Sequence, residues 1–283
     1  MNRTLVCLVV LSLLTLPGCK KTAATSESGA SEAPEAPEAP EAAEVADAVW
    51  PPEKADAEAA GLDPKWPTIL LNGELTSVRW SDGDSFKFKS GAHTGKGVRL
   101  MGYNTLESYG PVHRWGSWTA VELYRIAKAS WRLGAAATWT CSASGEEDHY
   151  GRLLVDCPDA ARYIIEQGHG MIFAIEGESE DALLRAQRMA MKSRVGMWEK
   201  GAPKSVITSL HSADEGEEKS PTYNRVVDTV SGAANEAPHK SSYDVCEEVC
   251  IGGDDGSCMV YVPFSQRYKN KAECLYVKEK GSK

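Results

Sequence analysis

Between Ile69 and Trp198 the chain is cut into short apolar segments by glycine-bearing turns, and this punctuation excludes most folds. Leu75–Trp80 and Ser85–Lys89 read as strands around the turn Ser81-Asp82-Gly83-Asp84. Phe86 and Phe88 alternate with Lys87 and Lys89, the period of a half-buried strand. In the next segment Val98 and Leu100 share one face, with Arg99 on the other. Ser117 is expected to cap a helix running to about Leu133, with Ala120, Leu123 and Ala127 at helical spacing. Ala136–Ser144 and Arg152–Cys157 read as a strand pair around the polar loop Gly145–Gly151. Asp159 is expected to cap a short helix through Ile164 and Ile165, stopped at Gly168. Ser179 is expected to cap a last helix with Leu183, Ala186 and Ala190 inward, ended by Gly196. Three strands, a helix, two strands and two helices point to an α+β domain: a small, partly open five-stranded barrel with three helices.

The flanks differ from this block. Arg3 precedes an apolar run from Leu5 to Leu16, roughly 12 residues and too short for a span of about 20. It reads as a secretory leader over residues 1–18. Leu16-Pro17-Gly18-Cys19 resembles the bacterial lipobox, which implies a lipid on Cys19 and a membrane anchor. The alternative is a plain secretory signal. Lys20, in place of the aspartate linked to inner-membrane retention, leans the expectation to the outer membrane. Residues 19–66 carry three Glu-Ala-Pro units from Glu32 to Pro40 and too little apolar surface to offset the entropy of ordering. They are expected to form a tether. The globular block is placed at 67–201, a loose linker at 202–242 with a short strand near Val226–Val230, and a Cys-rich module at 243–283.

Net charge is −9, but residues 61–201 hold 17 acidic and 17 basic residues. Bulk attraction to nucleic acid is therefore excluded, and any phosphate site must rest on a few placed arginines.

Four pieces carry chemistry: Asp82-Gly83-Asp84-Ser85, Arg99 through Glu107, Tyr109-Gly110-Pro111, and Asp148-His149-Tyr150-Gly151-Arg152. Singly each is a common turn or loop. In this order, and followed by Glu166-Gln167-Gly168 and Gly196-Met197-Trp198, they resemble the staphylococcal nuclease (thermonuclease) family over Leu75 to Trp198. The resemblance implies an OB-fold barrel and calcium-dependent cleavage of DNA and RNA. It implies Ca2+ held by Asp84, Asn104 and the Thr105 carbonyl, since calcium takes carboxylate and carbonyl oxygens. Glu107 would hold or deprotonate the attacking water. Arg99 and Arg152 would grip phosphate oxygens with their planar forks. Asp82 would support the site from behind, and Tyr150 would contact the nucleotide. Asn104 departs from the family's usual acid and Leu106 from its usual proline. The lost charge is expected to weaken calcium binding, to be met by millimolar extracellular calcium. The structural alternative makes Arg99 and Arg152 salt-bridge partners only. His149, in the polar loop, is expected to face solvent and not to be catalytic, His169 and His211 lack metal-ligand spacing, and Trp115, Trp118, Trp131 and Trp139 are expected to pack rather than stack on bases.

Outside the cytoplasm the remaining cysteines are expected to pair. Cys141 and Cys157 flank the strand pair symmetrically about His149, so an antiparallel register would set them opposite each other. Cys246, Cys250, Cys258 and Cys274 are separated by three, seven and fifteen residues. Four cysteines allow three pairings, and the spacing chooses none. Two disulfides are favoured over a zinc site.

The expectation is thus a membrane-anchored, monomeric nuclease acting on DNA or RNA, with no protein partner indicated. The rivals are a binding module without turnover and a surface adhesin acting through its tail. Deleting residues 202–283 is expected to leave nuclease activity largely intact.

Overall fold

The structure, a computed structural model, describes residues 50–175, 180–218, 221–268 and 274. The expectations for the leader, for Cys19, for the tether as far as residue 49 and for the Ser179 cap lie outside the described residues. All described residues belong to one compact unit.

The chain enters through β1 (Thr68–Leu71) and β2 (Glu74–Trp80), a hairpin closed by Asn72 and Gly73 at φ 49° and 88°. Asn-Gly is the dipeptide best suited to that doubly left-handed turn. Then come β3 (Ser85–Phe88), β4 (Gly97–Leu100), β5 (Tyr103–Thr105) and β6 (Val112–Arg114). Helix α1 (Ala120–Ala129) is followed by a single turn, α2 (Trp131–Gly134). Strands β7 (Trp139–Cys141) and β8 (Leu153–Val155) precede α3 (Pro158–Glu166), β9 (Gly170–Ile172) and α4 (Asp181–Lys192).

Six strands form one curled half-barrel sheet in the order β7-β1-β2-β3-β4-β8, not five. The extra strand, Thr68–Leu71, is almost wholly buried, so it lacks the alternation that marks a one-sided strand. Inside the curl Phe86, Phe88, Val98, Leu100, Trp139 and Val155 pack with Ile164 and Ile165 of α3. The two edges of the sheet meet. Ser142 and Asp156 exchange backbone hydrogen bonds of 2.8 and 2.9 Å, and the Cys141–Cys157 disulfide joins the neighbouring positions. The expected opposition of these cysteines is thus met at the seam of the sheet.

Helix α1 starts later than expected, at the Thr119 cap. Thr119 receives the Glu122 amide while the Glu122 carboxylate receives the Thr119 amide, a reciprocal pair that Ser117 lacks. For α3, Pro158 takes the first position and Asp159 sits in the first turn rather than at the cap. Leu183, Ala186 and Ala190 of α4 point inward as expected.

The tail differs most from expectation. Residues 202–242 are not a loose linker: they carry the three-stranded sheet β10 (Ser205–Ser209), β11 (Asn224–Asp228) and β12 (Ala234–Ala237). Nor is 243–283 a separate module. Strands β13 (Glu248–Ile251) and β14 (Ser257–Val260) pair, and β14 then pairs with β6, placing Met259 opposite His113. Two disulfides, Cys246–Cys274 and Cys250–Cys258, fix this region. The tether also ends earlier than residue 66: Trp50 stands edge-on to Trp139 and Tyr163 at 6.3 and 5.9 Å.

Replacing both Cys141 and Cys157 with serine should lower the free energy of unfolding by about 3 kcal/mol, from loop entropy restored to the unfolded chain. Urea denaturation measures it, and an unmoved midpoint would mean that the seam holds without its covalent clasp.

Candidate functional site

The site grows from the turn between β2 and β3. A Cβ on Gly83 would lie 2.5 Å from Thr105 Cγ2, so only glycine lets the turn press against β5. The Tyr103 hydroxyl donates to the Gly83 carbonyl at 2.6 Å. Asp84 is thereby held, 5% exposed, against two strands. Its Oδ2 accepts from the Thr105 amide at 2.6 Å and the Thr105 hydroxyl at 2.9 Å. Its Oδ1 pairs with Arg99 Nη1 at 2.7 Å. Arg99 lies on β4, next to β3, and its Nη2 also donates to Asn104 Oδ1 at 2.5 Å. Burial works against the Arg99 charge, but Asp84, Asp82 and Glu107 outweigh it and raise its pKa.

Asp82 Oδ1 accepts from the Ser85 hydroxyl and, at 3.3 Å, from the Asp84 amide. Arg152 is aimed by Asp148. One carboxylate oxygen accepts from Nε and Nη2, both at 2.7 Å, while the other takes the Tyr150 and Arg152 amides at 3.0 and 2.9 Å. Glu107 is set by its backbone, whose amide donates to His113 Nε2 at 3.1 Å.

Asp82, Asp84, Arg99, Glu107 and Arg152 all line one cleft of about 400 Å³, joined by Arg79, Tyr109 and Tyr268. Asn104 and Thr105 lie buried behind its wall, where Thr105 holds Asp84 and Asn104 holds Arg99. Tyr150 is 64% exposed and stands beside the Arg152 guanidinium, 5.5 Å from ring centre to Cζ, rather than on the cleft wall. Cys19 lies outside the described residues.

Three carboxylates crowd this space. Burial first, and then the Asp84 charge, push Asp82 up to about 7. The same causes, with Asp82 added, push Glu107 up to about 8. Both still open on the cleft, where water softens the penalty. Three carboxylates so close together offer carboxylate oxygens, the donor type a hard cation takes. The Asn104 Nδ2, a donor and not a cation ligand, is buried without a hydrogen-bond partner among the described residues.

Several contributors are poorly marked in the sequence. Asp148 opens the Asp148–Arg152 loop, and its spacing of four from Arg152 is its signal. His113, Arg267 and Tyr268 gave none, because their roles depend on where the tail folds. Tyr268 stacks on Tyr109 at 5.7 Å. Arg267 is pinned by the Val262 and Leu210 carbonyls at 3.0 and 3.3 Å, and its charge favours the ionised form of Glu107. The tail also brings together Glu248, Cys250 and Cys258, but the two sulfurs are joined as a disulfide and cannot serve as thiolate ligands.

The tail therefore supports the site, which reverses the expectation for its removal. Deleting residues 202–283 would strip β14 from β6 and uncover the second core around Leu106, Trp115 and Trp198, which Val206 helps to fill. The melting temperature should fall by on the order of 10 °C. An unchanged thermal melt would show the tail to be dispensable.

His113 supplies a pH dependence. Its ring is 1% exposed, and burial pushes its pKa down to about 3, with the Ile207 carbonyl opposing. A histidine held neutral in the fold but free to protonate when unfolded stabilises fully above about 6.5 and progressively less as pH falls toward 3. Urea midpoints should decline across that window while the His113 ring, followed by NMR, stays neutral to about pH 4. Titration of that ring near 6.5 would remove it as the source.

No protein-family model matches the chain, and no curated protein sequence matches it.

Proposed function

We propose that the protein is a calcium-dependent nuclease that hydrolyses phosphodiester bonds of DNA or RNA, built on an OB-type barrel like that of the staphylococcal nuclease family. One observation carries this reading. Asp84, Arg99, Glu107 and Arg152 come from a turn, a strand and two loops, yet they open on a single cleft. Proteins rarely collect three arginines and three carboxylates in one partly buried space for stability alone, because each charge there costs desolvation.

In this reading Arg99 and Arg152 bind the non-bridging phosphate oxygens and meet the charge that grows as water attacks phosphorus. Glu107, oriented through His113, accepts the proton of that water at a carboxylate oxygen. The phosphorus–oxygen bond to the departing sugar oxygen then breaks, and that oxygen takes up a proton from solvent. Asp84 would hold a calcium ion, with Asn104 and the Thr105 carbonyl behind it, and the bound ion would supply positive charge toward the phosphate oxygens. Asp82 keeps the turn in place through Ser85 and the Asp84 amide. The leader and Cys19 motif support placement at a bacterial membrane surface. Among the described residues no helix is long and apolar enough to cross a membrane.

A specific observation favours one rival, a binding module without turnover. Arg99 is already paired with Asp84 and Arg152 with Asp148, as structural ion pairs would be.

The whole protein should digest single-stranded DNA or RNA in millimolar calcium and stop in chelator. Arg99→Ala or Glu107→Gln should each lower the rate by roughly 10²–10³-fold, with an unchanged circular dichroism spectrum. Asn104→Asp should enlarge the rise in melting temperature that calcium produces. Nucleic acid bound but never cleaved would establish the rival.

A further inference from the structure

A second depression adjoins the cleft. Its volume is about 500 Å³, and it shares Arg79, Ser81 and Tyr109 with the cleft, so the two are continuous. Lys65, Arg79 and Lys128 bring positive charge to its walls, between the rings of Trp66, Tyr109 and Trp131. Among the described residues no carboxylate lines it. That is notable in a chain of net charge −9, whose middle block is otherwise balanced. Lys65 does touch Asp63 at 2.9 Å, but both side chains are largely exposed and such a pair is weak.

The aromatic residues here are placed unlike the others. Trp115, Trp118 and Trp139 are 3%, 7% and 0% exposed, as core residues should be. Trp131, expected to join them, is 40% exposed, and so is Tyr109. The one-turn helix α2 follows α1 directly and leaves the Trp131 ring on the rim, while Gly134, at its other end, packs against Trp80. Cations already sit over these rings: Lys128 is 3.9 Å from Tyr109, and Lys65 and Lys89 are 5.1 and 4.9 Å from Trp66.

We propose that this groove binds single-stranded nucleic acid, continuing the strand whose phosphodiester lies in the cleft. The inference rests on the nuclease reading for the position of that phosphodiester. Bases stack on Trp131 and Trp66, Tyr109 holds the wall between groove and cleft, and the backbone phosphates meet Lys65, Arg79 and Lys128. Alternating aromatic faces and cations suit an unpaired strand, because paired bases in a duplex offer no free face for stacking. The groove makes the protein read strand length: longer single strands bind better than short ones.

Fluorescence anisotropy in chelator separates binding from cleavage. A labelled single strand of roughly 12 nucleotides should bind the whole protein about ten-fold more weakly after Trp131→Ala, with Trp131→Phe restoring most of the loss. Lys65→Ala should also weaken it and flatten the log–log salt dependence by roughly 0.7. A dinucleotide, which reaches only the cleft, should respond to neither change. Equal loss for both ligands, no loss for the long strand, or equal Trp131-dependent binding of a duplex or a heparin fragment would each overturn the groove. If the wild type cleaves nothing in calcium, the nuclease reading falls while the anisotropy result still decides the groove.

Discussion

The ion pair between Asp84 and Arg99 organises the rest of the site. A carboxylate with 7% of its side chain exposed and a guanidinium with 18% exposed would be costly apart. Here each has partners on neighbouring strands. Thr105 gives Asp84 two donors, and Asn104 and the Tyr103 carbonyl accept from Arg99. The pair therefore ties the β2–β3 turn, β4 and β5 to one another. Gly83 makes this possible by letting the turn touch Thr105 without a side chain between them. Removing either charge would leave the other buried and unpaired.

Around this pair three carboxylates and three arginines share one cleft. Asp82 and Glu107 are both pushed toward their neutral forms by burial and by Asp84. This crowding of like charges, beside a second arginine aimed by Asp148, is the physical basis of the phosphodiester reading. The neighbouring groove extends the argument, since its walls carry the opposite sign and offer rings where the cleft offers charges.

The tail changes what counts as the functional unit. Strand β14 completes a sheet with β6, and β6 carries the histidine that fixes the Glu107 backbone. Tyr268 then closes one wall of the cleft against Tyr109. Disulfides within the tail restrict its freedom and so lower the entropy lost when it docks. Mechanical support and cleft lining thus come from the Cys-rich segment that the sequence presents as a separate module.

Local patterns were enough for much of this. Alternation of Phe86 and Phe88, the turn at Gly83, the inward face of α4 and the symmetric cysteines at 141 and 157 all act over short stretches of chain, where steric and hydrophobic rules need no distant partner. The site motifs were legible for the same reason, as each is a compact run. Other features were decided by contacts between distant segments. Thr68–Leu71 is covered on both sides and so shows no period. The short strands of residues 202–242 become stable only when Val206, Ile207 and Val226 meet apolar partners from distant segments and the strands pair. Trp131 carries the same indole as Trp139, and only the packing around each ring determined which was buried and which was left facing the groove.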